Sequence, residues 1–569
     1  MVNVKNLFGM AVMATALVGC ASNDDITPNA NEGNQTGAAY ASFKINLPTT
    51  SGTRADDPKP GTPSFEYGDA KEYEVKNGTV LIFDESGNFV ESANLGNMNP
   101  WTDVKSDGVT TAAIATVQLQ KVTVGGKYKA LVLLNNNTDT TPKVTLPTAS
   151  TDTYDEWSKN VKKVNVKEYE STDGIFMANA PMYVDSSTEP TTLVQIANIC
   201  ASPEEAQSKA ATTVYVERGL AKVTMQKFAT NYTIAAGTTY EGGKVVIENW
   251  QLDVTNKSTF PIHQTGTLKK AWDQIWNTPR FYDTTSKSFK RVYWGIDPNY
   301  SDNQYSAGSS DPKKTALDYC KEAFNMITKG DIKGEAGDDK PQYCLENTFN
   351  LANMMQGQTT RVVFKAVFTP KDFSTGDTFY KIGNNTAVWS KDNLETQIRT
   401  VALTVMGITD ATEQSKYRVD LSKGSNISGT AGQHVIQAAN IIYTGEASSS
   451  KVSDDNVAKI NEKLGLSATA GISTYLNGVS YYIARIKHFN DLAPWKAGES
   501  YGSDNATYLG RYGVLRNNWY SLSVSSVSGL GYPDVPEVKP TVPDDENDKY
   551  INVEVKILSW AKRSQSINL

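Results

Sequence analysis

The sequence predicts an all-β fold with minor helices, organised as β-sandwiches. Short apolar or alternating runs, bounded by turn residues, recur along the chain as expected for strands. The composition includes 28 tyrosines and 39% hydrophobic residues, which suits half-buried strands and is enough to fill several cores. Helical periodicity occurs in few places, so strands do not alternate regularly with helices, which disfavours a parallel sheet. The length of 569 residues exceeds one ordinary domain and predicts more than one core.

The interior strands are predicted from apolar runs. The clearest begins at Thr79, ends at Phe83 and enters a glycine-containing hairpin turn before Phe89. Similar runs occupy residues 128–134, 214–216, 221–225, 245–252, 361–368, 400–405, 480–486 and 519–527. Two segments have helical spacing instead, one after Asp311-Pro312 and one after Ser453. Both start with plausible capping residues, which predicts short helices inserted into a sheet protein.

The N-terminal segment has the features of a lipoprotein export signal. Lys5 provides a positive start, residues 7–18 are apolar, and Gly19 precedes Cys20. The apolar stretch is shorter than the roughly 20 residues that a membrane-spanning helix needs. We therefore expect a signal peptide over residues 1–19, lipid attachment at Cys20 and export from the cytoplasm. An ordinary secretory peptide in which Cys20 is incidental is the alternative.

The two ends of the chain carry matching strand patterns. Apolar residues alternate near the start, at Ala41, Phe43, Ile45 and Leu47, and near the end, at Ile551, Val553, Val555 and Ile557. Arg54 follows the first pattern. A proline-rich and acidic stretch, residues 532–550, precedes the second and is expected to be an extended, semi-rigid tether.

This pairing of ends suggests a subunit that polymerises. A cut after Arg54 would remove the first strand and open a groove, which the last strand of another copy could fill. Because side chains alternate with a period of two, a slip by one residue would present Asn552, Glu554 and Lys556 to the groove, which specifies the register. The simpler alternative is that both terminal strands complete their own sandwich.

The sequence offers little catalytic or metal-binding chemistry. Its three histidines, His263, His434 and His488, are widely separated and have no neighbouring ligand at a metal-binding interval. His488 is expected at the surface or at a cap. The acidic pairs at Asp56 and Asp544 lie in predicted linkers, where solvated charge is favoured over a glycosidase role. We therefore expect no catalytic residue, no metal and no cofactor.

Charge and cysteine content limit the remaining possibilities. The net charge is -7, from 55 basic and 62 acidic residues, and the chain lacks the basic stripe of a nucleic-acid binder. Three cysteines follow Cys20, namely Cys200, Cys320 and Cys344. Cys320 and Cys344 could form a disulfide in an oxidising compartment, but two buried thiols are an equally good interpretation because spacing does not establish geometry.

Five segments, in this order, follow the pattern of a known family: residues 214–223, 250–257, 343–348, 513–520 and 553–560. The more specific ones are the Arg516-Asn517-Asn518-Trp519-Tyr520 strand and the closing tail that ends at Trp560. They resemble the FimA/Mfa-type fimbrillins, the subunits of bacterial type V pili, and above all the Mfa-type major stalk subunit. Gly52-Thr53-Arg54-Ala55 is similar to the arginine processing site of that family.

The resemblance implies two transthyretin-like β-sandwich domains plus a C-terminal donor strand. Residues 20–54 would be a lipidated leader with the removable strand. Residues 55–210 would form the N-terminal sandwich, and residues 211–531 the C-terminal sandwich with helical insertions. Residues 532–569 would be the tether and the donor strand, which includes Ile551, Val553, Val555, Ile557 and Trp560.

The resemblance also implies a function. The precursor would be attached to the outer membrane by its lipid, and an arginine-specific surface protease would cut it between Arg54 and Ala55. Identical subunits would then polymerise by donor-strand exchange into a fimbrial stalk on the cell surface that supports adhesion. Accessory anchor and tip subunits, and a host or bacterial surface ligand, would be further partners.

Two rival functions remain open at the level of the sequence. A lipid-anchored surface protein could bind glycan or host protein without polymerising. Its aromatic surface would come from some of the tryptophans, although tryptophan in β proteins usually packs in the core; the candidates are Trp157, Trp250, Trp272, Trp276, Trp294 and Trp389. An exported glycosidase is the weaker rival, because no catalytic carboxylate pair is identified.

Overall fold

A computed structural model describes residues 38–48, 68–96, 102–106, 109–137, 142–182, 189–266, 268, 292, 294–301, 311–467, 469–488, 508–544, 551–559 and 562–563. The predicted signal peptide, Cys20, Arg54, Ala55 and Trp560 lie outside these residues. No helix in the described residues is long and apolar enough to cross a membrane.

The described chain consists mainly of strands, which confirms the predicted all-β class with minor helices. The strands are β1 (Ala39–Pro48), β2 (Gly78–Phe83), β3 (Phe89–Asn94), β4 (Thr102–Ser106), β5 (Val109–Leu119), β6 (Lys129–Leu134), β7 (Lys162–Lys163), β8 (Met177–Asn179), β9 (Val194–Gln195), β10 (Thr212–Arg218), β11 (Ala221–Met225), β12 (Tyr232–Thr233), β13 (Lys244–Asp253), β14 (Thr255–Asn256), β15 (Ser258–Thr259), β16 (Phe324–Asn325), β17 (Gly337–Cys344), β18 (Arg361–Thr369), β19 (Phe379–Ile382), β20 (Tyr417–Val419), β21 (Gly432–His434), β22 (Ile441–Tyr443), β23 (Ile472–Tyr475), β24 (Val479–Arg485), β25 (Asn518–Val527), β26 (Ile551–Ser559) and β27 (Lys562–Arg563).

The helices are short, with one exception. They are α1 (Ala70–Tyr73), α2 (Tyr154–Ser158), α3 (Val166–Tyr169), α4 (Pro203–Ser208), α5 (Ala316–Ala323), α6 (Lys391–Met406), α7 (Ala411–Ser415) and α8 (Asp454–Lys463). The predicted helices after Asp311 and Ser453 are confirmed as α5 and α8. Ser453 is the N-cap of α8 and accepts a hydrogen bond from the backbone N–H of Asn456.

The N-terminal body is built on one sheet with the strand order β3-β2-β6-β8-β10-β1-β5-β4, with β9 pairing with β6. The central strands β2 and β6 are buried on both faces, which explains their nearly continuous apolar sequences. On β2, Val80 and Ile82 belong to one hydrophobic cluster, and Leu81 and Phe83 belong to another. The predicted hairpin between Phe83 and Phe89 is confirmed.

The C-terminal body has two sheets with a hydrophobic core between them. Their strand orders are β17-β11-β25-β26-β27 and β12-β13-β18-β24. The core contains Val223 and Tyr520 from the first sheet and Trp250 and Phe364 from the second. On β13, the buried Val245 and Ile247 alternate with the exposed Val246 and Glu248, as in a sandwich.

The chain crosses between the two bodies later than predicted. Strand β10 pairs with β1 and β8 of the N-terminal sheet, whereas β11 pairs with β17 and β25 of the C-terminal sheet. The crossing therefore falls at Gly219 and Leu220, within one of the sequence segments used for the family resemblance, rather than near residue 210. Gly219 permits the close approach there, because an added Cβ would lie 3.0 Å from Phe176 and 3.1 Å from Tyr169.

A third hydrophobic cluster lies in the chain between β18 and β24. It includes Leu394 and Ile398 of α6, Ile460 of α8 and Ile472 of β23. The predicted strand at residues 400–405 is wrong, because these residues form the end of α6. Ser390 caps the start of α6 and Gly407 ends it with a left-handed φ of 65°.

The structure favours one of the two interpretations left open for Cys320 and Cys344, and it corrects the expectation for His488. Cys320 and Cys344 are buried and not joined by a disulfide; Cys320 packs in a cluster with Val254 and Phe324, and Cys344 packs in the sandwich core. Burial raises the pKa of each of these thiols to about 12, so both are poor nucleophiles. His488 is not at the surface: its side chain is buried, and its Nδ1 lies 2.7 Å from the Tyr520 hydroxyl.

The predicted tether also differs from the structure. Residues 532–544 lie against the C-terminal body, and only residues 545–550 separate them from β26. Asp544, expected in solvent, is 0% exposed. Its Oδ2 accepts a hydrogen bond from the Thr359 hydroxyl at 2.8 Å, which gives this carboxylate oxygen a partner in the interior.

Candidate assembly site

Strand β1, predicted to be removable, is an interior strand of the N-terminal sheet. It pairs antiparallel with β5 through ten residue pairs, from Ala39 with Leu119 to Pro48 with Val109. On its other side it pairs parallel with β10 through four residue pairs, from Phe43 with Thr212 to Asn46 with Tyr215. Its loss would therefore leave one edge of β5 and one edge of β10 unpaired at the same place, although β5 keeps β4 and β10 keeps β8 as partners.

The inner face of β1 fills the core of the N-terminal body. Ala39, Ala41, Phe43, Ile45 and Leu47 are each at most 1% exposed, in the cluster that β2, β6 and β10 also line. Burying a side chain such as phenylalanine, isoleucine or leucine stabilises a protein by about 1.5–3 kcal/mol. Since a whole domain is stable by only about 5–15 kcal/mol, the N-terminal body would be unstable with this groove empty.

The outer face of β1 is covered by α4 and the residues before it. Ser42 is 5% exposed; its hydroxyl donates a hydrogen bond to the Ala206 carbonyl at 2.9 Å and lies 2.8 Å from the Thr116 hydroxyl. Tyr40 and Cys200 exchange two backbone hydrogen bonds of 2.8 Å. The outer face of the strand is therefore covered at Ser42 and left exposed at Lys44, and the sequence pattern of β1 did not indicate this cover.

The covalent link between β1 and the rest of the body contains the predicted cleavage site. β1 ends at Pro48, the next described residue is Gly68, and Arg54 and Ala55 lie between them. A cut there would leave β1 attached to the body by hydrogen bonds and packing alone.

The last strand, β26, pairs antiparallel with β25 of the same chain through seven residue pairs. The two-residue strand β27 pairs with β26 and also with β25. The register pairs Val553 with Val524 and Val555 with Leu522, and Leu522 is part of the sandwich core. In a single chain, both terminal strands thus complete their own sheets.

A buried charged cluster joins the two bodies near the start of α1. Nζ of Lys222 lies 2.6 Å from Oε1 of Glu72, and both side chains are at most 1% exposed. The Lys222 ammonium also sits 3.8 Å from the centroid of the Trp519 ring, and the Tyr343 hydroxyl donates a hydrogen bond to Glu72. Burial lowers the pKa of Lys222, and the Glu72 carboxylate opposes this effect. No sequence motif indicated this cluster.

A second buried cluster joins the bodies through His263. Its Nδ1 donates a hydrogen bond of 2.7 Å to Glu217 of β10. Burial lowers the pKa of His263, but the charges of Glu217 and Glu346 outweigh it and raise the pKa above 6.5. The pair is therefore an ion pair at mildly acidic pH.

We expect this ion pair to make stability depend on pH. Since the folded-state pKa of His263 exceeds its unfolded value, its contribution is fully present below about pH 6.5 and is lost as the pH rises through the raised folded-state pKa. Urea denaturation from pH 5.5 upwards should show a steeper fall in the free energy of unfolding for the native chain than for His263→Gln. His434→Gln is the matched control and should keep the native slope; equal slopes for all three proteins would contradict the prediction.

The described residues offer no metal site, since they contain no group of three or more histidine, cysteine, aspartate or glutamate side chains suited to hold an ion. Three of the candidate tryptophans are buried and pack in hydrophobic clusters: Trp157, Trp250 and Trp294. Trp389 is partly buried against the third cluster, and Trp272 and Trp276 lie outside the described residues.

Comparison with known proteins gives one family match, in the C-terminal part of the chain that contains β24, β25 and β26. Residues 473–566 match the family model described as major fimbrial subunit protein type IV, fimbrillin, C-terminal. No curated protein matches the sequence.

Several solved structures are similar at low identity. A fimbrial assembly protein from Parabacteroides distasonis ATCC 8503 is 13% identical with a TM-score of 0.26, covering 59% of this chain and 97% of that one. A candidate adhesin from Bacteroides ovatus is 10% identical with a TM-score of 0.17, covering 39% of this chain and 57% of that one. A candidate polysaccharide-binding protein from Bacteroides thetaiotaomicron VPI-5482 is 11% identical with a TM-score of 0.19, covering 66% of this chain and 87% of that one.

Proposed function

We propose, from the chain's membership of the fimbrillin family, that this fimbrial subunit builds the stalk of a cell-surface fimbria by exchanging strands between copies. The precursor would be exported as a lipoprotein on Cys20 and cut between Arg54 and Ala55 by an arginine-specific surface protease. β1 would then leave, and β26 of a second copy would take its place. Anchor and tip subunits would complete the fimbria, which would support adhesion.

The observation that supports this proposal most is the position of β1. It is an interior strand with two partners, its core residues alternate with a period of two, and the predicted cut lies just beyond its end. β26 offers the same alternation at Ile551, Val553, Val555 and Ile557. A donor with this pattern can place one apolar side chain at every second position of the groove.

The pairing energetics favour transfer of β26 once the groove is open. In its own chain β26 has seven residue pairs with β25 and otherwise only the two-residue β27 beside it. The groove offers ten pairs along β5 and four along β10. Because a ladder hydrogen bond contributes about 1 kcal/mol net, a strand that pairs on both sides is held more strongly than one at the edge of a sheet.

The same geometry explains why the precursor would stay monomeric. While β1 remains covalently attached, its effective concentration at the groove exceeds that of a strand from another molecule. α4 also covers part of the outer face of the groove, at Ser42. Cleavage removes the high effective concentration of β1 at the groove, because β1 can then diffuse away.

The test is controlled cleavage of the purified full-length chain. An arginine-specific protease at limiting dose should release a peptide that contains β1 and produce a ladder of oligomers that resist SDS at room temperature. Arg54→Lys should remain monomeric with that protease but form the ladder with trypsin, which also cuts after lysine. Persistent monomer after complete cleavage at Arg54 would instead favour a surface binding protein that does not polymerise.

A further inference from the structure

Residues 532–544, called here the strap, are attached to the C-terminal body along their whole length. At the start of the strap, Tyr532 and Tyr481 of β24 exchange two backbone hydrogen bonds, of 2.7 and 2.8 Å. This pairing extends the sheet beyond its edge strand β24 by one residue and fixes the position of the first residue of the strap.

The middle of the strap is held by buried side chains. Nη2 of Arg361 donates a hydrogen bond to the Pro536 carbonyl at 2.7 Å. Arg361 is itself paired with Asp253, at 2.8 Å, and the two side chains are 3% and 1% exposed. Val538 of the strap is 6% exposed, in the cluster that contains Cys320.

A glycine makes room for the strap. A Cβ at Gly357 would lie 2.9 Å from Cα of Pro540 and 2.7 Å from Sγ of Cys320. Contacts this short do not occur, so any side chain at position 357 would push the strap away.

The end of the strap is the most firmly held part. Met355 and Pro543 face each other as an antiparallel bridge. On either side of them, the N–H of Gln356 donates to the Val542 carbonyl at 2.9 Å and the N–H of Asp544 donates to the Met354 carbonyl at 3.0 Å. Asp544 is 0% exposed and accepts the hydrogen bond from Thr359.

We propose that the strap stays docked on its own subunit during assembly, so that the next copy receives β26 at the end of the C-terminal body marked by Met354 and Asp544. The inference rests on the proposed strand exchange and specifies its geometry. Releasing the strap would expose Val538 and remove partners that Asp544 and Arg361 have in the interior. Releasing β26 breaks its seven residue pairs with β25 and its pairs with β27.

The docked strap limits how far β26 can extend from its own subunit. Residues 545–550 separate Asp544 from Ile551, and a fully extended chain spans at most about 24 Å over that interval. If the strap were released as well, the interval from Tyr532 would span at most about 65 Å. The position in the groove of the receiving copy that takes Ile551 must therefore lie within about 24 Å of Asp544, and this end of the body forms the contact between subunits.

Two engineered disulfides distinguish release of the strap from release of the strand. Met355→Cys with Pro543→Cys locks the strap, and Ser523→Cys with Glu554→Cys locks β26 onto β25, since both are facing antiparallel pairs with Cα atoms about 4.5–5.5 Å apart, within the disulfide range. Each full-length variant is cut at Arg54 in oxidising and in reducing buffer, with disulfide formation checked by mass spectrometry. The reduced form of each variant is its own folding control.

We expect the strap lock to form the oligomer ladder equally well when oxidised and when reduced. A strap lock that loses the ladder on oxidation and regains it on reduction would overturn the proposal. The strand lock should lose at least tenfold of its oligomers on oxidation; if it does not, the proposed strand exchange itself fails. If the reduced strap variant does not assemble, amide hydrogen exchange on oligomers of the native sequence decides: Tyr532 and Asp544 should remain protected, and loss of their protection would overturn the proposal.

Discussion

Replacing Glu72 by alanine should lower the free energy of unfolding of the precursor by about 3–5 kcal/mol, because a buried ion pair that loses one partner leaves an uncompensated charge. The charge left behind is that of Lys222, which is at most 1% exposed. The Tyr343 hydroxyl would lose its acceptor as well. Urea denaturation followed by tyrosine and tryptophan fluorescence measures the change.

The chain provides a matched control two residues away. Glu74 pairs with Lys76 at 3.9 Å, but their side chains are 46% and 39% exposed, so Glu74→Ala should cost at most about 1 kcal/mol. The double variant Glu72→Leu with Lys222→Met should recover most of the stability, since replacing both charges by apolar groups is often neutral. A Glu72→Ala effect no larger than that of Glu74→Ala would show that the cluster does not stabilise the junction.

Replacing Phe43 by alanine should destabilise the precursor by about 3–5 kcal/mol, through lost burial and the cavity left behind. Phe43 is 0% exposed in the core of the N-terminal body. The same substitution should have no effect on oligomers formed after cleavage, because β1 would be absent from them. Thermal denaturation of the precursor and heat resistance of the oligomers in SDS measure the two quantities.

Lys44→Ala is the control for Phe43→Ala. Lys44 lies on the same strand but is exposed, so the change should stay within about 0.5 kcal/mol. If oligomers of the Phe43→Ala variant lose heat resistance in parallel with the precursor, β1 remains in the assembled subunit and strand exchange is excluded.

Strand positions can be predicted from the sequence where the residue pattern of the strand itself determines which side chains face the core. Period-two alternation at Phe43, Ile45 and Leu47 fixes which face of β1 meets the core, whatever its neighbours are. The predicted strand at residues 400–405 is wrong because β-branched residues favour strands by composition, and this segment contains Thr400, Val401, Thr404 and Val405. The signal that would have found α6 is the helical spacing of Leu394, Ile398, Ala402 and Met406, all buried, between Ser390 and Gly407.

Features that depend on long-range contacts could not be predicted from the sequence. The cover of β1 by α4 requires Ser42 to meet Ala206, and the junction requires Glu72 to meet Lys222. Proline and acidic residues in the strap indicate a solvated linker by composition, yet Asp544 and Arg361 find buried partners in other parts of the chain. Local pattern therefore predicted which strands could exchange, but not how the exchanging strand is tethered.

The central claim is that the space vacated by β1 is refilled by the last strand of another copy, and a chain that ends at Tyr550 tests it most directly. Cut at Arg54 under the conditions that give the full-length protein its ladder, this shortened chain should give no oligomers on an SDS gel and should elute as a monomer in size-exclusion chromatography. Oligomers that resist SDS, formed by the shortened chain to the same extent as by the full-length protein, would contradict the account.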